Sequence, residues 1–199
     1  MKILNLYAGV GGNRMYWGDE HEITAVELNP SVAACYADLY PHDKVIVGDA
    51  HEYLLNHYKE FDFIWSSPPC QSHSRTRAMC IWKGQNEPIY PDMKLWQEII
   101  FMKHFNKCTY VIENIKPYYK TFIQHTFELG GHLYWSNKMI LTPKQDTFRA
   151  HHANMGDLQK FKKIDLTGYK FEGIDKRQVL RNMVEPDDGL YIFQQLTKG

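Results

Sequence analysis

Five short apolar runs, each leaving into small or polar residues, constrain this chain more tightly than any other feature of its sequence. They cover residues 2–7, 23–27, 44–47, 61–65 and 110–112. Each is too short for a stable helix and rich in Val, Ile, Leu or aromatic residues, the pattern of strands buried on both faces. Segments with helical spacing lie between them. Val32, Cys35, Tyr36 and Leu39 follow Asn29-Pro30 on one face, residues 50–58 form a shorter stretch, and Leu95, Ile99 and Met102 share a face from a cap at Asp92 to about residue 105. This alternation predicts an α/β domain with a mostly parallel sheet, whose ligands bind outside the carboxyl ends of the strands.

The residues at those ends are chemically selective. Ala8-Gly9-Val10-Gly11-Gly12-Asn13 follows the first run, where small residues let the backbone turn and approach a ligand, with a helix expected from about Arg14. Glu27 closes the second run, at the spacing from a glycine turn at which a nucleotide-binding fold holds ribose hydroxyls. Asp49 follows the third. Pro68-Pro69 stops the fourth, because proline fixes φ and lacks an N–H, and presents Cys70 on a stiff turn. A thiol so placed is either a candidate nucleophile or a cysteine buried behind a strand. Glu113-Asn114 leaves the fifth run.

Residues 71–91 carry no clear period and are broken by Gly84, Pro88 and Pro91, so they read as a long functional loop. A helix is expected over residues 119–129, stopping at Gly130-Gly131, and strands over 133–135 and 139–141, the second ended by Pro143. Apolar density falls over residues 144–176, which read as a small irregular appendage, and returns at 178–196, where Leu190, Ile192 and Phe193 can pack back onto the sheet. A length of 199 residues, 44% of them hydrophobic, suits one well-cored domain. With a formal net charge of zero, a nucleic-acid partner must be held by local patches. The four cysteines form no CxxC pair and none has a histidine at zinc-ligand spacing, which argues against a metal. No apolar run approaches membrane-spanning length and no signal segment opens the chain, so a reducing, cytoplasmic setting is expected.

Taken together, Tyr7-Ala8-Gly9-Val10-Gly11-Gly12, Pro68-Pro69-Cys70-Gln71, Glu113-Asn114-Ile115 and Arg181-Asn182-Met183-Val184-Glu185-Pro186 resemble the motifs of the DNA cytosine-5 methyltransferases, in the same order. The resemblance is closest over residues 5–115 and weak over 142–176. It implies a Rossmann-like class I fold with S-adenosylmethionine as cofactor, a catalytic core over residues 1–141, a very small target-recognition region over 142–176, and a segment over 177–199 returning to the core. It further implies that Cys70 attacks carbon 6 of a flipped-out cytosine, that Glu113 serves ring nitrogen 3 and the exocyclic amine, and that Asn114 holds the backbone around the nucleophile. On the cofactor side it implies Tyr7 near the adenine, Ala8, Gly9, Gly11 and Gly12 in the loop, Glu27 on the ribose, Asp49 on the adenine amine, Asn182 near the methionine end, and Pro69 as a further contact.

For duplex DNA, the loop donors Gln71, Ser72, Ser74, Arg75 and Arg77 are expected beside the extruded base and its phosphates. The lysines at 160, 162, 163, 170 and 176, with Arg177, add a modest basic bias. The family's base-holding arginine has no clear counterpart. Lys138 and Arg149 are the candidates to replace it, although lysine lacks the guanidinium fork. So small a recognition region suits a compact enzyme of phage or mobile-element type reading a short sequence, with or without a companion restriction enzyme. Two alternatives remain open: methylation of transfer RNA, and a nucleic-acid-binding relative without turnover. No residue is assigned to removing the carbon 5 proton, and oligomeric state is open.

Overall fold

The computed structural model describes residues 1–143 and 154–198. β1 (Lys2–Leu6), β2 (Glu22–Glu27), β3 (Lys44–Val47), β4 (Phe63–Ser66) and β5 (Thr109–Ile115) are parallel neighbours in the order β3-β2-β1-β4-β5. β7 (His132–Ser136) continues the sheet antiparallel to β5, and β6 (Phe127–Leu129) closes it beyond β7. This is the mostly parallel, Rossmann-like sheet that the resemblance implies. The chain leaves β1 toward β2 and β3, then returns to place β4 on the other side of β1. A crevice therefore opens where the glycine turn and the Pro-Pro-Cys turn leave adjacent strands.

Alternation along the strands divides the core between the two faces. Ile3, Phe63, Trp65 and Val111 face Trp17 and α7 (Pro186–Thr197), whose Ile192, Phe193 and Leu196 lie in the same cluster. Leu4, Leu6, Ile64 and Ile112 face α2 (Ala50–His57) and α4 (Lys94–Phe105) through Leu54, Leu95, Ile99 and Met102. α1 (Pro30–Leu39) begins where the Asn29 side chain accepts from the amides of Ser31 and Val32, at 2.9 and 3.2 Å.

Four local expectations are corrected. The helix expected from Arg14 is a run of turns, with Arg14 N–H bonded to Gly11 O and Trp17 N–H to Arg14 O, each at 3.0 Å. Trp17 is stacked on Phe193 in the core and Gly18 has φ +86°, so the chain bends before a helix can form. Residues 71–91 contain a 3-10 turn (Gln71–His73) and α3 (Arg75–Trp82). Ala78 is the buried residue of α3, so no apolar stripe announces the helix. Residues 119–129 hold β6 instead of a helix, because Phe127 and Leu129 find partners opposite Tyr134 and His132. Residues 139–141 lie outside the sheet, with Met139 and Leu141 exposed, since β6 already holds the edge beside β7.

The appendage expected after residue 142 contains α5 (Met155–Lys162), followed by α6 (Lys176–Asn182). Leu158, Ile164 and Leu166 are buried against Val10, Val32, Cys35, Val179 and Leu180. Its few large apolar residues thus seat it on α1 and the glycine turn.

α7 approaches that turn closely at Gly189, where an added Cβ would lie 2.6–2.7 Å from the Asn13 backbone. Backbone cannot yield as a flexible side chain can. Gly189→Ala is expected to destabilise the protein by about 1–3 kcal/mol in urea unfolding and to lower affinity for whatever the glycine turn binds, measured by calorimetry.

Candidate active site

The strand ends surround a cavity of about 660 Å³, within the range of small-molecule sites. Tyr7, Ala8, Gly9 and Gly12 line it from the turn after β1, Glu27 from β2 and Asp49 from the end of β3. Gly9 has φ +55° and nothing within 4 Å of where a Cβ would stand, so its backbone faces open space. Its amide donates to Glu27 Oε2 at 2.9 Å, while Glu27 Oε1 accepts from Asn29 N at 2.9 Å. Each oxygen retains a lone pair for a further donor. Asp49 Oδ1 caps α2, accepting from His51 N at 2.8 Å, and its Oδ2 takes Lys94 Nζ at 2.9 Å. Arg181, Asn182 and Met183, at the end of α6, complete this half of the cavity.

Gly11 does not line the cavity. An added Cβ there would meet the Tyr40 and Tyr36 rings at 2.3 and 2.8 Å, and its carbonyl accepts from Tyr40 Oη at 2.9 Å. It serves the packing behind the turn. Arg14, buried there, bonds Asp43 through Nε at 2.9 Å and lies over the Tyr40 ring.

The other half is built from β4 and β5. Pro68, Pro69, Cys70 and Gln71 line it, as does Glu113. Asn114 points the other way along the strand and donates from Nδ2 to Pro68 O at 2.9 Å, which ties the cysteine turn to β5. Buried His73 continues the turn, its amide bonded to Cys70 O at 3.0 Å. Burial, with the Glu113 carboxylate as the second cause, pushes the Cys70 thiol up to about 12. Burial also raises Glu113, opposed by His132 and by a hydrogen bond from Ser67. The free protein therefore holds Cys70 as a thiol at neutral pH.

Several predicted residues stand elsewhere. Ser72 Oγ accepts from Asp92 N at 2.9 Å, Ser74 caps α3, and Arg75 Nε donates to Pro117 O at 3.0 Å. Arg77 follows on α3, half-buried. None of these four lines the cavity. Lys138 is a correction. β7 runs antiparallel to β5, so the residues after Ser136 leave at the opposite edge from Cys70, and Lys138 Nζ instead bonds Leu196 O in the last turn of α7 at 2.8 Å. Arg149 lies outside the described residues. Two lysines expected to face nucleic acid are also engaged: Lys162 is buried and bonds Met183 O and Glu185, and Lys163 pairs with Asp187.

Three site residues escaped the sequence reading. Lys94 and His132 line the cavity, and Glu98 lies behind it. The Glu98 carboxyl, with no exposed side-chain surface, accepts from Tyr7 Oη at 2.5 Å and Ser66 Oγ at 2.7 Å, with His51 Nδ1 at 3.0 Å. It joins the ends of β1 and β4 to α2 and α4. Its signal was present, since Glu98 falls on the helical face of Leu95, Ile99 and Met102, where an acid requires partners.

Among the described residues no group of His, Cys, Asp and Glu could hold a metal ion, and no helix is long and apolar enough to cross a membrane. A family model described as C-5 cytosine-specific DNA methylase matches residues 1–129. No curated protein matches the chain by sequence. Among solved structures the chain is similar to a DNMT2 variant from Spodoptera frugiperda, at 24% identity over 58% of this chain and 35% of that one, with a TM-score of 0.43. It is also similar to the methyltransferase EhMeth of Entamoeba histolytica, at 16% identity over 58% and 38%, with a TM-score of 0.37. A third is a SAM-dependent methyltransferase from Agrobacterium tumefaciens, at 14% identity over 60% and 40%, with a TM-score of 0.44. The chain thus spans 35%, 38% and 40% of the length of these three proteins.

Glu98→Gln leaves three polar partners facing one acceptor, and is expected to cost about 1–3 kcal/mol. Its hydrogen bond also raises the His51 pKa. A raised folded-state value contributes stability that is full below the unfolded value of about 6.5 and is lost as pH rises through the folded value. The stability gap between wild type and Glu98→Gln, read from urea midpoints, should therefore be wider at acidic than at alkaline pH.

Proposed function

The chain belongs to the C-5 cytosine-specific DNA methylase family, and we propose that it transfers a methyl group from S-adenosylmethionine to carbon 5 of cytosine in duplex DNA through a covalent adduct with Cys70. The observation that carries the reading is the meeting of Cys70, Glu113 and the glycine turn around one cavity.

S-adenosylmethionine is the cofactor of this family, and the cavity suits it. Open space over Gly9, free lone pairs on Glu27 beside that turn, and the Arg181 and Asn182 side chains at the far wall supply room, a partner for ribose hydroxyls and partners for a carboxylate. When bound, the cofactor supplies a methyl group made electrophilic by its sulfonium. Lys94 holds the Asp49 carboxylate at the cavity edge, so Asp49 meets the adenine amine as one side of an ion pair.

Cysteine is needed because carbon 5 of cytosine is a weak nucleophile. Sulfur bonding to carbon 6 moves the ring electrons toward nitrogen 3 and leaves carbon 5 electron-rich. The adduct requires one proton moved from sulfur to nitrogen 3. Glu113 is the group to relay it, its burial raising its pKa above the ordinary carboxylate value. After transfer, passage of the carbon 5 proton to water, no side chain being assigned to that step, expels the Cys70 thiolate, restores the ring double bond and returns the nitrogen 3 proton to Glu113. Asn114 keeps Pro68, and with it Cys70, in place throughout. Because a duplex buries its cytosines, the base must be flipped into the cavity, and α3 with residues 83–91 stands after Cys70 to close over it.

The test supplies tritiated S-adenosylmethionine with duplex DNA, single-stranded DNA or transfer RNA, each also prepared with 5-fluorocytosine to trap the adduct. A covalent complex with duplex DNA that is lost in Cys70→Ser is expected. Label in transfer RNA alone would move the substrate to RNA, and no label or adduct with any acceptor would overturn the reading. Glu113→Gln should slow transfer by roughly two orders of magnitude or more while cofactor binding persists. In the free protein, iodoacetamide should alkylate Cys70 at pH 8 roughly a hundredfold or more slowly than a cysteine peptide, as followed by peptide mass spectrometry.

A further inference from the structure

We propose that His132 is a further catalytic residue, the donor that holds the carbonyl oxygen at position 2 of the flipped cytosine beside Glu113; this rests on the cytosine reading above. Strand direction supplies the first support. Because β7 runs antiparallel to β5, the first residue of β7 stands on the rim where β5 ends, and His132 pairs in register with Ile115, two positions beyond Glu113. Ile115 and His132 both line the cavity that holds Cys70 and Glu113.

The second support is the state of the imidazole. His132 Nε2 lies 3.6 Å from Glu113 Oε1, beyond a normal N–H···O hydrogen bond. Among the described residues the ring makes no hydrogen bond, and about a quarter of its side chain is exposed (27%), so its donor is free to meet an incoming group. The nearby cations are otherwise disposed. Lys94 is held by Asp49, Lys162 by Met183 O and Glu185, Lys138 is at the opposite edge of the sheet, and Arg181 is on α6, whose following Met183 and Val184 abut Gly12 in the cofactor half.

The third is the chemistry of the base. Cytosine presents in succession an amine donor, the nitrogen 3 acceptor and the oxygen 2 acceptor. Glu113 serves the first two, its carbonyl oxygen accepting from the amine and its acid proton reaching nitrogen 3. The third position needs a donor next to that carboxyl, which His132 provides. As sulfur adds to carbon 6, charge grows over nitrogen 3 and oxygen 2 together, so a donor at oxygen 2 strengthens in the transition state. No bond is made or broken at the imidazole.

Transfer is measured for wild type, His132→Ala and His132→Gln on whichever nucleic acid accepts label, copied enzymatically with either cytidine or 2-thiocytidine triphosphate so that every cytosine carries oxygen or the weaker acceptor sulfur. Replacing every cytosine removes any need to know the recognition sequence. His132→Ala is expected to lose roughly a hundredfold in kcat with an unchanged KM for S-adenosylmethionine, and His132→Gln, which keeps an N–H donor, to recover part of it. The sulfur substitution should slow wild type but have little further effect on His132→Ala. Equal sulfur effects in wild type and both variants, or variants that shift only the pH profile, would overturn the proposal. Absence of transfer and adduct in wild type would instead remove the cytosine reading itself.

Discussion

Strand direction is the constraint on which the rest of this structure depends. Five parallel strands deliver five exits to one rim, and the reversal between β2-β3 and β4-β5 places the two most important exits, the glycine turn and the Pro-Pro-Cys turn, side by side. The same rule assigns places on β7. Running antiparallel, it offers its start to the rim and sends its end to the opposite edge. His132 and Lys138, six residues apart in the chain, therefore stand at opposite ends of the molecule's central sheet.

Behind the rim, two acids use burial to different ends. Glu98 is enclosed and saturated by a tyrosine hydroxyl, a serine hydroxyl and an imidazole, so it ties strand ends to helices. Glu113 is nearly as enclosed yet faces the cavity, with His132 beyond hydrogen-bonding distance. Desolvation raises its pKa, and its charge in turn raises that of Cys70. A buried carboxyl saturated by three partners gives rigidity, and one that faces a cavity next to a thiol gives chemistry that waits for a substrate.

The places where sequence and structure part share one cause. α3 buries little, β6 is three residues long, and the stretch after Arg14 is held by a core tryptophan, so none writes a period into the sequence. A strand is legible where it is apolar on both faces and ends in a turn residue, as where β4 leaves into Ser67-Pro68-Pro69. Within residues 178–196, Ile192 and Phe193 carry enough apolar surface to require cover, and they lie in the cluster on the sheet.

Local chemistry in the sequence determined the α/β class, the glycine turn, the stiff cysteine turn and the acids and amide that follow the strands, because φ restriction, apolar periodicity and turn residues act over a few positions. Only the tertiary structure decided which of these residues share a cavity, that Gly11 packs against tyrosines, that Lys138 caps α7, and that His132 stands beside Glu113. Those outcomes follow from which strands pair and in which direction. Strand pairing joins residues far apart in the chain, and no local pattern encodes it.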